Sequence, residues 1–275
     1  ADPSQGARLA RLEECRGFGP CWSPLIENPW REGHFSPRWF EINQGIQWAP
    51  IWVTRLDGYH LDDTLRIIER SVESDRYVGD PTPQGQALFM RGANPPRAVL
   101  DHELTPLVEL LEEVGVSAEI VNFNPELEVE GAISLFATGS ASLGRVIEGN
   151  TFTAGSLVDN LTSFGAHPNN FHPDLPEVQA SIARWIRQGV SGAHGATAEP
   201  LNFSFPSRAL FADYARGATL SEAVSRNTPY LAWQNITRGD PMRAADMKRP
   251  RSRSDVEPRR GEGSRNIEGA AGQRR

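Results

Sequence analysis

The sequence predicts an α/β protein, a three-layer sandwich with a mainly parallel central sheet. Three observations carry this. Short β-branched or apolar runs alternate with segments of helical period. One run, Ala132 to Ala137, is almost continuously apolar, as a strand covered on both faces must be. Finally, 39% hydrophobic against 23% charged residues over 275 positions is enough to bury a core of this kind.

In chain order, residues 1–48 are rich in Pro, Gly, Trp and Arg without regular period and read as an irregular cover. Trp22, Trp30, Trp39 and Trp48 fall here, four of the seven tryptophans. Large aromatics are mostly buried, so a plug over a sheet edge or face is read ahead of a carbohydrate or peptide platform. Ala49–Leu56 is a strand candidate. Leu61, Leu65, Ile68 and Val72 recur at helical spacing and predict a helix over 61–76 packed on the sheet. Gln86–Met90 is a second strand. Leu104, Leu107, Leu111 and Val114 share one face of a helix over 100–114, which Gly115 stops. Val116–Phe123 and Ala132–Ala137 are further strands. A helix over 177–188 closes at Gly189 and leads into a strand over Val190–Thr197. Thr219-Leu220-Ser221-Glu222 matches a capping box and opens a last helix. These elements place one α/β domain at 49–242. From Arg243 to the end apolar side chains are few, which predicts a disordered Arg-rich tail over 243–275.

Charge restricts the partners. The formal net charge is -7, but residues 243–275 carry a net +5, leaving -12 on the rest. An acidic body would meet a phosphate backbone with carboxylates, so nucleic acid is excluded as its partner. Mean hydropathy is -0.45, and no apolar run approaches the ~20 residues of a membrane span. The first residues, Ala1-Asp2-Pro3-Ser4, have neither the basic nor the apolar region of a signal peptide.

The common chemical fingerprints are missing. There is no phosphate loop with its Lys, no dinucleotide fingerprint after a strand and no G-x-S-x-G elbow. Cys15 and Cys21 match no zinc spacing; they form either a short-loop disulfide or two unpaired thiols. His167 and His172 flank a polar loop, where a metal would also need Asp174. Two solvated histidines are the simpler reading, so the expected metal and cofactor complement is none. His194, alone in an apolar strand-like run, reads as a satisfied core histidine.

Four blocks together carry a resemblance: Val53–Gly58 (VTRLDG), Gly155–Gly165 (GSLVDNLTSFG), Gln188–Pro200 (QGVSGAHGATAEP) and Gly239–Pro241 (GDP). Over roughly 49–242 the chain resembles an uncharacterised, often exported bacterial family with a caspase/gingipain-like fold. It departs from that pattern at Gln188 and Val190, where alanine is usual, and at both ends. The resemblance implies that the N-terminal part of the fold is missing or replaced, and that the protein is exported.

Caspase-like peptidases need a His at the end of one strand and a Cys at the end of the next. Here the first strand end runs into Thr138-Gly139-Ser140 and the second into Leu161-Thr162-Ser163-Phe164, so the dyad is missing. A hydroxyl substitute would use Ser163 with His167, oriented by Asp159 or Glu199. Against it stands a pair of loop-capping hydroxyls, Thr162 and Ser163, bonded to backbone. Glu199 sits before Pro200 at the expected carboxyl end of a strand, where open α/β sheets bind ligands, and is the leading site carboxylate. Asp57 and Asp159 are the candidate ligand-binding carboxylates, Asp57 also being a natural turn residue before Gly58. The expected function is that of a non-catalytic binding or structural protein on this scaffold. The alternatives are a hydrolase with Ser163 as nucleophile, or a subunit completed by another protein chain.

Overall fold

The computed structural model describes residues 26–27, 53–75, 85–231 and 234–246. Most of the N-terminal cover, Cys15 and Cys21 included, and the chain beyond 246 lie outside the described residues.

The core is a six-stranded sheet. Its strands are β2 (Gln86–Met90), β3 (Ala118–Val121), β4 (Ala132–Thr138), β5 (Thr151–Asn160), β6 (Gly192–Ala196) and β9 (Asn235–Arg238), in the spatial order β3-β2-β4-β5-β6-β9. Every neighbouring pair is parallel except β6 with β9. The strand predictions over 86–90, 116–123, 132–137 and 190–197 coincide with β2, β3, β4 and β6. The predicted strand over 49–56 is described only from Val53, where a single parallel bridge joins Arg55 to Arg238.

Strand alternation splits the core into two layers. Ala87, Phe89, Leu135, Ala137 and Leu157 face α2 (Leu104–Glu113), α4 (Ala209–Ala215) and α5 (Leu220–Asn227). Leu88, Met90, Ile133, Phe136 and Val158 face the other way, onto Ile67 of α1 (Leu61–Asp75) and Ile182, Trp185 and Ile186 of α3 (Ile182–Arg187). Both faces are covered, which is why β2 and β4 read as unbroken apolar runs. The architecture is therefore α/β, with helices on either side of a mainly parallel sheet, as a three-layer sandwich requires. Two small antiparallel pairs lie outside this sheet: β1 (Ile26–Glu27) with β8 (Tyr230–Leu231), and β7 (Arg216–Thr219) with β10 (Ala244–Asp246). Among the described residues no helix is long and apolar enough to cross a membrane.

Four expectations need correction. First, Arg243–Asp246 is not tail: β10 pairs with β7, and the Arg243 side chain is buried, its Nε donating to Ser74 Oγ at 3.1 Å. Second, α1 does not turn its apolar stripe to the sheet. Leu61, Leu65, Ile68 and Val72 are exposed, whereas Asp63, Ile67 and Ser71 on the opposite side are buried. Asp63 is bound there because its carboxylate accepts from the backbone N–H groups of Tyr59 and His60. Third, the helix over 177–188 contracts to α3. The Asn170 side chain donates to Phe164 O and Gln179 O and accepts from Val178 N, which holds the preceding turn as loop; Ser181 then caps α3 by accepting from Ala183 N. Fourth, β5 belongs in the middle of the sheet but breaks period at Gly155, whose φ of 90° accompanies a register shift between β4 and β5. A Cβ there would lie 2.6 Å from the Arg243 guanidinium, so the glycine is needed for this approach. The capping box is present as expected, with Thr219 and Glu222 exchanging hydrogen bonds at the start of α5.

Candidate site at the carboxyl rim of the sheet

The four sequence blocks assemble on one half of the sheet. Thr54 Oγ1 donates to Gly239 O at 2.6 Å and Gly239 N donates to Arg55 O at 3.1 Å, joining the VTRLDG and GDP blocks. The other two contain β5 and β6, which pair directly, with Asp159 opposite His194.

Asp57 is part of this frame. Its carboxylate meets Arg55 at 3.0 Å and also Arg238. The Arg238 guanidinium is buried and lies 3.6 Å over the Phe171 ring. Burial, first, and the like charge of Arg55 both lower the pKa of the Arg238 guanidinium, to about 9.

Asp159 is likewise internal. It accepts from His194 Nδ1 at 2.7 Å and from Arg208, and all three side chains are buried. Burial pushes the Asp159 carboxyl up, but the Arg208 charge and the His194 hydrogen bond outweigh it and hold it below the usual range. An ionised carboxylate only accepts, so His194 carries its proton on Nδ1. Its Nε2 is buried without a hydrogen-bond partner, and the ring stands edge-on to Phe205. His194 is thus a core residue satisfied at one nitrogen. Arg208 also donates to Thr138 O at 3.1 Å, so the cluster clamps the ends of β4 and β5.

Asn160 completes the clamp. Its side chain accepts from Ser140 N and donates to Ser140 O, each at 2.9 Å, while Leu161 N donates to Thr138 O. The two strand ends where a His and a Cys were sought are therefore rigidly paired, one carrying Gly139-Ser140 and the other Leu161-Thr162-Ser163. The Ser140 hydroxyl donates to Ser142 O at 2.6 Å.

Beside these ends is a cleft of about 230 Å³ lined by Pro96, Arg97, Leu161, Thr162, Ser163, Glu199 and Asn202. It lies where open α/β sheets place their ligands. Ser163 and Glu199, expected to meet only through the His167 ring, are in direct contact: Ser163 Oγ donates to Glu199 Oε1 at 2.8 Å. His167 does not join them. Its Nδ1 accepts from Asn169 N at 3.2 Å, and its ring packs edge-on against Phe164. Thr162 donates to Gln179 Oε1, which also accepts from Phe164 N at 3.1 Å. The Thr162 hydroxyl is the loop cap; Ser163 faces the cleft.

Arg97 was not legible in the sequence as a cleft residue. It follows β2 in a short 3-10 turn, Pro95–Arg97, seated against two glycines. A Cβ on Gly92 or Gly139 would lie 2.3 or 2.1 Å from Arg97 O. Arg208, Asn160 and Gln179 were also missed, since no spacing distinguishes a clamp from an ordinary polar residue.

A larger cleft of about 320 Å³ lies elsewhere, lined in part by Tyr59, Glu148, Glu177, Arg184 and Arg187. Its charges are already engaged: Arg184 pairs with Glu148 and Glu177, and Arg187 lies 4.1 Å over the Tyr59 ring. His172 belongs to the same wall, its Nδ1 accepting from Asp174 N. Among the described residues no group of three or more His, Cys, Asp or Glu side chains is placed to hold a metal.

No family model, curated protein or solved structure matches this chain.

Proposed function

We propose that the chain is a non-catalytic binding protein on a caspase/gingipain-like scaffold, with its ligand held in the cleft at the carboxyl rim. One observation carries this reading. Ser163, the hydroxyl that faces the cleft from the expected nucleophile position, is bonded to a carboxylate and not to an imidazole. A serine attacks only as its proton is removed, and a carboxylate is a far weaker base for that step than a histidine. The imidazole that sequence spacing offered, His167, is spent on its own turn. The scaffold supports the same reading: two adjacent strand ends are locked over one rim by Asp159, Arg208 and Asn160, with a polar cleft beside them. Rigidity of this kind favours binding in a fixed geometry.

The test is turnover. A panel of peptide and ester substrates should be cleaved no faster by the intact chain than by Ser163→Ala, and thiol-alkylating reagents should change nothing. Turnover lost in a folded Ser163→Ala variant would establish the hydrolase instead.

A further inference from the structure

We propose that the rim cleft recognises a small zwitterion, a ligand of amino-acid or dipeptide size with a free ammonium and a free carboxylate. This rests on the binding reading above and names its ligand class. Arg97 and Glu199 line the same cleft, yet neither forms an ion pair among the described residues. Arg97 reaches only Asn94 Oδ1, at 3.5 Å, and its Nε is buried without a partner. A buried guanidinium donor is costly to leave unsatisfied, and a carboxylate fits its fork with two hydrogen bonds. Glu199 accepts one hydrogen bond, from Ser163, which leaves most of its lone-pair capacity for an ammonium.

The backbone that carries Arg97 and the Glu199 carboxylate, held by Ser163, are both placed before any ligand arrives. Gly92 and Gly139 seat the turn that carries Arg97, and Asn202 Nδ2 donates to Pro96 O at 2.5 Å, tying that turn to the loop that follows Glu199. The opposite charges also discriminate. A phosphate or other pure anion meets Glu199, and a polyamine meets Arg97, so only a ligand carrying both signs satisfies the pair. Size agrees with a small ligand: about 230 Å³ is below the ~300 Å³ at which drug-sized pockets begin.

The probes are L-alanine and Ala-Ala, with N-acetylalanine lacking the ammonium and alaninamide lacking the carboxylate, titrated into the chain by calorimetry. The zwitterions should bind, and each capped analogue should bind roughly tenfold or more weakly. Glu199→Gln should abolish the preference for L-alanine over N-acetylalanine, and Arg97→Gln the preference over alaninamide. If Arg97→Gln fails to fold, the capped analogues still decide. The relative affinities of L-alanine and Ala-Ala separate the two ligand sizes. Capped analogues binding as well as the zwitterions, or no binding of either zwitterion, would overturn the inference and leave the non-catalytic reading intact. Hydrolysis of bound Ala-Ala would overturn that reading while supporting zwitterion recognition.

Discussion

His194 Nδ1 donates to Asp159 at 2.7 Å across the paired strands β5 and β6, with both side chains buried. Arg208 balances the same carboxylate and reaches back to β4 through Thr138 O. Removing one member of a buried ionic group strands the others, at a cost of about 3–5 kcal/mol. Asp159→Asn should therefore lower the unfolding free energy, read from urea denaturation, by that amount, without altering the substrate-panel result. A loss below about 1 kcal/mol, the range of an exposed ion pair, would contradict the clamp.

The same carboxylate predicts a pH dependence. Its folded pKa lies below the ordinary value because Arg208 and His194 outweigh desolvation. The unfolded chain then binds this proton first as pH falls. Asp159 contributes its full stability above the unfolded value near pH ~4, and the contribution is lost as pH drops through the depressed folded pKa. The stability difference between the wild type and Asp159→Asn should be level between about pH 7 and pH 5 and shrink below about pH 4. Chemical denaturation across that range checks it.

The glycine seat of Arg97 makes a third prediction. Gly139→Ala drives a methyl group into Arg97 O, and backbone cannot step aside as a flexible side chain would. Overpacking of this kind costs about 1–3 kcal/mol. It should also weaken zwitterion binding through displacement of Arg97, measured by the same titration. Gly131→Ala is the control: nothing lies within 4 Å of its Cβ position, although its φ of 85° carries a conformational cost of its own. It should leave binding unchanged.

Two neighbouring residues on α1 test the reversed helix. Ile67 is 1% exposed and packs in the core, whereas Ile68 is 44% exposed. Ile67→Ala should cost about 2–5 kcal/mol and Ile68→Ala under about 1 kcal/mol. Equal costs in thermal or urea denaturation would mean that the apolar stripe is covered.

The helix α1 also shows where sequence reasoning works and where it fails. Periodicity placed the helix and its length, because four apolar residues at 3.6-residue spacing are a local signal. It chose the wrong face, since the inward side is set by Asp63 capping the Tyr59–His60 turn and by the buried Ile67 and Ser71. β2 and β4 were legible because burial on both faces leaves an unbroken apolar run; β5 was read only by its end near Leu161, since Gly155 interrupts its body. At the site, the strand-end argument singled out Ser163 and Glu199 separately, and their direct bond was not legible. His167 was drawn in by spacing alone, and its turn geometry sends Nδ1 to Asn169. Arg97 arrives from a turn more than sixty residues away in the chain from Ser163, a proximity fixed by the parallel strand order and by Gly92 and Gly139.

The central claim, binding at the rim without turnover, is tested most directly in a single sample. A ¹⁵N-labelled chain titrated with Ala-Ala should show saturable shifts at Thr162, Ser163, Glu199 and Asn202. The dipeptide, followed by its own proton signals over a day, should stay intact at the rate seen in buffer. Release of alanine that disappears in Ser163→Ala, or saturable shifts confined to Tyr59, Arg184 and Arg187 in the larger cleft, would contradict it.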